Sequence, residues 1–233
     1  GCFLLMHTGS EAPRSEAGLI TTVALRRAGR LEYALEGSIF MGGAAVQWLV
    51  EGLKLAESPQ ALQELAESVE DSEGVVLVPA LTGLGAPHWD PFARGTILGL
   101  TRGSTDAHVA RAGMEAIALQ VGDVGDVLAE DSGVRLSAIR VDGGVTVNEL
   151  VMQTLADVLA IPVQRALVAE STALGVAFLA GLAAGVWHAP ADLPALTGVS
   201  RVFEPDPDSW ARIGRLKEMW KRALPRSEGW MQG

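Results

Sequence analysis

The sequence holds one cysteine, Cys2, one tyrosine, one asparagine, Asn148, and three lysines against 15 arginines. A single cysteine excludes a disulfide framework and a cysteine-based zinc site, and makes a reducing, cytoplasmic setting the expectation. The shortage of cations leaves a formal net charge of -10 and a pI near 4.9. Such a chain has no general basic face for a polyanion, so nucleic acid is not an expected partner, although a local nucleotide pocket stays open. No G-x-x-x-x-G-K-[ST] occurs, nor HRD, DFG or VAIK, nor HExxH or GxSxG. The phosphate devices of P-loop proteins and protein kinases are therefore absent.

The chain opens GCFLLMHTG, an apolar strand-like run with no initiating methionine and no basic segment ahead of it. It reads as a piece of something longer and not as a signal peptide. The stretch from Ser171 to Ala191 carries no Asp, Glu, Lys or Arg until Pro190 closes it. That is close to a bilayer's span, but it is rich in alanine and glycine. The expectation is a buried helix, close-packed at Gly175, Gly181 and Gly185, and no membrane insertion.

What is present suffices for a sizeable core: 233 residues, 48% hydrophobic and 20% charged. CFLLM, LITTVAL (19–25) and LEYALEG (31–37) read as three strands of an antiparallel meander, joined by Gly- and Pro-bearing turns such as RRAGR. Helical spacing follows over 38–53 and in ALQELAESV, then a buried strand over 75–81. The segment 82–95, TGLGAPHWDPFARG, is a loop, since its glycines and prolines forbid a regular element. After a strand over 96–100 comes a long helix over 104–131, with Ser104, Thr105 and Asp106 as capping candidates. LSAIRVDGG, NELVMQTLADVLA, IPVQRAL and STALGVAFLAGLAAGVW then alternate strand and helix. A charged amphipathic helix with Trp210, Ile213, Leu216, Met219 and Trp220 near one face ends the chain. The pattern predicts an α/β domain, a mixed sheet with an antiparallel three-strand start and flanking helices.

RVDGGVTVNEL (140–150) is the segment with the clearest chemistry. A strand ending in Gly143-Gly144 lets backbone approach a ligand closely, and the helix start after it favours phosphate. Asn148, in the first helical turn, carries an amide that suits a purine edge. The alternative is a tight turn with a capping asparagine, and the spacing alone leaves both open. Asp142 reads as a buried strand-end carboxylate orienting the turn. Glu115 and Asp123 on the long helix read as solvated or capping. His7, His108 and His188 show no partner pattern, and Trp48, Trp89 and Trp187 read as core.

Taken together, several segments resemble the glycerol kinases of the FGGY carbohydrate kinase family. These are GCFLLMHTG, LEYALEGSIFMGGAAVQWL, VVLVPALTGLGAPHWDPFARGTILGLTRG, RLSAIRVDGGVTVNELVMQ and ESTALGVAFLAGLAAG, in that order. The family signature G-x-I-x-G-L, followed after a spacer by H-V-x-R-A and an acid, runs from Gly95 to Glu115. The resemblance implies an actin-like, ribonuclease-H-like ATPase fold, with residues 1–233 as the C-terminal, nucleotide-binding domain and the N-terminal domain outside the chain. It implies ATP and Mg2+ as cofactors and glycerol as substrate. It also implies homo-oligomers at full length.

Carried over by motif, Gly43, Gln47, Gly144 and Asn148 would contact the nucleotide and Phe3 the carbon skeleton of glycerol. Ala173 and Leu174 would lie near the adenine side. The catalytic base and a phosphate-binding threonine fall outside residues 1–233, so no catalytic or metal-ligating residue is assigned and the chain alone is expected to be inactive. His7, His88, Gly113 and Glu149 depart from the family's usual residues. A pentulose or gluconate kinase, or a non-enzymatic actin-like module, are the rival expectations.

Overall fold

The computed structural model describes residues 1–27 and 29–232; Ala28, in the RRAGR turn, and Gly233 lie outside the described residues. Strands β1 (Cys2–Gly9), β2 (Ile20–Arg27) and β3 (Arg30–Ile39) form an antiparallel sheet in the order β1-β3-β2. The expected meander is corrected here: β1 pairs with β3, Cys2 opposite Ile39, and not with β2. β3 is the longest of the three and the most buried, which places it in the middle. Alternation along β1 turns Leu4 and Met6 toward the interior and leaves Phe3 and Leu5 outside.

β3 runs through Ile39, so the helix expected from residue 38 begins later, as α1 (Gly43–Gln47), and continues as a wider π turn over Trp48–Gly52. Ser58 caps α2 (Pro59–Glu67), its side chain accepting from the Ala61 amide at 3.1 Å. β4 (Val76–Val78) and β5 (Thr96–Leu98) pair antiparallel around the 82–95 loop. That loop is tied down at both ends. The Ala86 amide donates to Ser38 O at 2.8 Å, where a Cβ on neighbouring Gly85 would come within 2.1 Å of the same oxygen. Asp90 accepts from the Gly229 and Phe92 amides, each at 2.7 Å, and these donors hold its carboxyl below the usual carboxylate range. Trp89, expected in the core, is 40% exposed and stacks edge-on with Phe40.

Helix α3 (Asp106–Ser132) is the centre of the molecule. Thr105 is its cap, in a box with His108: the His108 ring accepts from the Thr105 amide at 3.1 Å. Glycine in left-handed conformation, Gly133, ends it. Most of the helix between its ends is buried, because α1, α2, α4 and the β1-β3-β2 sheet all pack on it. Its glycines permit the approach: a Cβ on Gly122 would lie 2.7 Å from Val158 Cγ1, and one on Gly113 2.4 Å from Leu49 Cδ1. The departure at Gly113 therefore has a local complement, since fully buried Leu49 fills the space.

The third sheet is β6 (Ile139–Val141), β7 (Val163–Ala166) and β8 (Val199–Phe203), with β6–β7 parallel and β7–β8 antiparallel. β8 had no sequence signal separate from the tail. α4 (Glu149–Leu159) crosses between β6 and β7 and packs on α3. α5 (Ser171–Ala183) follows β7 and corrects a second expectation: none of its residues is buried. Its composition is apolar on every face, so no stripe directs it onto a neighbour within the described residues. Gly181 meets Trp187 as anticipated, at 2.2 Å from the built Cβ, but Gly175 and Gly185 meet nothing within 4 Å. No helix among the described residues is long and apolar enough to cross a membrane. Last, α6 (Trp210–Ala223) buries Ile213, Leu216 and Trp220, while Trp210 is exposed.

The contact between Gly113 and Leu49 makes a prediction. Gly113→Ala should overpack the site and lower stability by about 1–3 kcal/mol. Leu49→Ala should cost about 2–5 kcal/mol. The double variant should lose less than the sum, because each change relieves the other. Urea melts of the three variants check this, and strict additivity would show that the two residues do not share space.

Candidate functional site

The β6–α4 connection is built from one strained residue and one open one. Gly143 has φ 85° and ψ 172°, a region that side-chain-bearing residues essentially do not enter. Its amide donates to Ala169 O at 2.8 Å, and its carbonyl accepts from the Thr146 amide at 3.1 Å and the Thr146 hydroxyl at 2.7 Å. Those bonds close a single 3-10 turn, Gly144–Val147. Gly144 has no such strain, and a Cβ built on it would meet nothing within 4 Å. The two glycines thus have separate reasons: one shapes the turn and the other keeps its outer side clear.

Asn148 follows as the N-cap of α4 and not within its first turn. Its Oδ1 accepts from the Val151 amide at 2.9 Å, and its Nδ2 lies 3.4 Å from Met114 Sδ on α3. The capping alternative is what the side chain does. Asp142 differs from its expected environment: it is exposed, and its Oδ2 accepts from the Ser171 amide at 3.2 Å at the start of α5. The end of β6 opens on a cavity and α5 does not cover it, which leaves the carboxylate in solvent.

That cavity measures about 730 Å³. Phe3, Gly43, Gln47, Gly144 and Asn148 all line it, brought from three separate parts of the chain. The carboxyl-end glycine turn of β6 forms one wall and β1, entering at Phe3, another. The start of α1 stands opposite, with Gly43 facing Val145, 3.6 Å from its built Cβ. Buried Gln120 of α3 holds the approach to α1 by donating to Met41 O at 3.1 Å. Phe3 is 62% exposed at the rim. Cys2, also in the lining, has its thiol pushed up to about 11 by burial, so at neutral pH it stays protonated and is no nucleophile.

Sequence reasoning missed Glu51, Gln60 and Gln63, which share the lining. Glu51 accepts from Gln47 Nε2 at 3.1 Å and so fixes that amide. The i,i+4 spacing of Gln47 and Glu51 was the available signal. Thr172 lines the cavity, whereas neighbouring Ala173 and Leu174 do not. Among the described residues no group of three or more His, Cys, Asp or Glu side chains could hold a metal ion.

The profile of the FGGY family of carbohydrate kinases, C-terminal domain, matches residues 1–184. The chain belongs to the FGGY carbohydrate kinase family. It is 51% identical over 232 residues to glycerol kinase of Trichlorobacter lovleyi, a match covering 100% of this chain and 47% of that protein. It is likewise 51% identical over 230 residues to glycerol kinase 2 of Thermotoga maritima, covering 99% and 46%. The chain thus spans about half the length of the curated relatives it matches.

Among solved structures it resembles Plasmodium falciparum glycerol kinase with ADP, at TM-score 0.84 and 35% identity, covering 97% of this chain and 45% of that one. Gluconate kinase from Lactobacillus acidophilus superposes at TM-score 0.77 and 26% identity, with 97% and 46% covered. The actin-like architecture expected of an FGGY domain is therefore present in this chain, with the antiparallel three-strand start as its first sheet.

The two glycines of this FGGY chain should respond differently to substitution. Gly143→Ala should cost about 1–3 kcal/mol of stability through backbone strain. Gly144→Val should leave the melting temperature near wild type and weaken ADP binding by at least about tenfold, a loss near 1.4 kcal/mol. Asn148→Ala should lower stability by about 0.5–2 kcal/mol, whereas Asn148→Ser keeps most of the cap. Calorimetry for melting and nucleotide titration separate the three. Near-normal ADP affinity in folded Gly144→Val would remove the glycine turn from the site.

Proposed function

We propose that this chain is the nucleotide-binding half of an ATP-dependent glycerol kinase, acting in the cytoplasm as a homo-oligomer at full length. The reaction is transfer of the γ-phosphoryl group of ATP to a terminal hydroxyl of glycerol. The observation that carries the reading is the convergence of Phe3, Gly43, Gln47, Gly144 and Asn148 on one cavity. The glycerol kinase relatives at about half identity favour glycerol over other polyols.

The lining fits a nucleotide. A cavity near 730 Å³ has the size of a cofactor site. Gly144 lines it, and the space a Cβ there would take is open, so a phosphate can approach the backbone at that point. Gly144, on the turn that Gly143 shapes, brings backbone to the phosphates, and Gln47, held by Glu51, presents its carbonyl oxygen to a donor on the sugar or base. The polar atoms of Asn148 are engaged with Val151 and Met114, so its contribution is to fix where α4 begins beside the nucleotide. Magnesium, when bound with ATP, offsets phosphate charge; a hard cation of this kind keeps several waters and needs one or two carboxylates at most. Asp142 and Glu51 are the lining carboxylates that fit that demand.

Phe3 at the rim packs on the carbon skeleton of glycerol. The general base is assigned to the N-terminal half, as the likeness to the FGGY kinases implies. Positioning and electrostatics carry most of a phosphoryl transfer, so a half site that places ATP is a large share of the machinery.

The purified chain alone should bind ADP yet release no glycerol-dependent ADP from ATP in a coupled assay. Joined to a glycerol kinase N-terminal half, it should phosphorylate glycerol in preference to gluconate and xylulose. Turnover by the chain alone at the rate of the joined protein would overturn the division of labour. Preference for gluconate or xylulose would overturn the substrate.

A further inference from the structure

Three glutamines line the glycine-turn cavity: Gln47 on α1, and Gln60 and Gln63 on α2. Leu62 and Ala66 hold α2 against the core, while Gln60 and Gln63, three residues apart, share the side that meets the cavity. Each of the three glutamines has an acid four residues on. Gln47 Nε2 donates to Glu51 Oε1 at 3.1 Å, Gln60 Nε2 to Glu64 Oε1 at 3.1 Å, and Gln63 Nε2 to Glu67 Oε1 at 2.8 Å. An ionised carboxylate accepts and cannot donate, so the nitrogen of each amide is the end turned toward it. The carbonyl oxygens are the ends left for a ligand.

The other groups expected beside the base are not free to read one. Asn148 has both ends of its amide engaged, with Val151 and Met114. Ala173 and Leu174 do not line the cavity. Nor does the start of α2 suit a phosphate. Pro59 has no N–H, the Ala61 amide donates to Ser58 Oγ at 3.1 Å, and the Leu62 amide donates to Ser58 O at 2.9 Å. Of the donors that open a helix, only the Gln60 amide remains there. Phosphate has the open backbone at Gly144 instead, so the α2 side of the cavity falls to the opposite end of the nucleotide.

We propose that Gln60 and Gln63, with Gln47 beside them, are the specificity-determining residues for the base: a wall of acceptors that selects adenine by its 6-amino group. The inference rests on the nucleotide reading above. Adenine carries an N–H donor where guanine and hypoxanthine carry an oxygen. The donor pairs with a glutamine carbonyl, whereas the oxygen meets it acceptor to acceptor and leaves both without a partner. Glu64 and Glu67 do not line the cavity and act through the amides as positioning residues. Without their charge each amide would be free to turn over and offer its nitrogen, and the choice of base would fade.

Calorimetric titration of the full-length protein with ADP, IDP and GDP tests this. ADP should bind more tightly than IDP by about fivefold, inside the roughly two- to twelvefold range of one hydrogen bond. Gln60→Ala with Gln63→Ala should weaken ADP and bring the two affinities within about twofold of each other. Glu64→Gln with Glu67→Gln changes no lining residue, yet it should narrow the same ratio, since a neutral amide accepts either orientation of its partner. Equal affinity for ADP and IDP, tighter binding of GDP than of ADP, or an unchanged ratio in either double variant would overturn the proposal and leave the nucleotide site standing. No saturable binding of any of the three would overturn the nucleotide reading and this inference with it.

Discussion

Close approach of neighbours to one buried helix is the constraint on which this structure rests. α3 is 27 residues long, about 40 Å at helical rise, and it runs through both hydrophobic clusters. Its flanks are reached by Leu49, Val158 and Leu159 only because Gly113, Gly122 and Gly125 present no side chain. Dispersion falls off steeply with separation, so a few tenths of an ångström at these positions decide whether the neighbours touch α3 at full density. The β1-β3-β2 sheet is applied to the same helix through Leu35, Ile39, Val124 and Leu128. Everything that later forms the glycine-turn cavity is referenced to this axis.

The cavity inherits its geometry from that arrangement. α4 lies against α3, and Asn148 at its start touches Met114. Gln120 reaches from α3 to Met41 and so sets where α1 begins. The two walls that carry Gly144 and Gly43 are therefore both fastened to one element. β1 reaches the same place because β3 carries it across the sheet. A nucleotide site assembled from three distant segments needs such a shared reference, since preorganisation within a fraction of an ångström is what phosphoryl transfer rewards.

Much of this was readable from local chemistry. Gly143 and Gly144 announced a close-approach turn, and Thr105 was among the capping candidates for the start of α3, because caps and turns depend on neighbours a few residues away. Asn148 was left between cap and ligand contact, and the cap is settled by an amide only three residues on. What was not readable depends on partners far along the chain. Glu115 looked like an acid on an amphipathic helix, while Arg212, one of its partners, is 97 residues away. The central place of β3 follows from which strand is most buried, a property of the whole sheet. α5 was expected inside because apolar helices are buried, and a pattern cannot say whether the covering surface lies within these residues.

Met114 and Glu115 are consecutive on α3, yet the first touches Asn148 in the wall of the glycine-turn cavity and the second holds the Arg111 and Arg212 guanidinium groups. A rotation of α3 at this step would carry both residues with it, so those two sets of contacts cannot shift independently of each other.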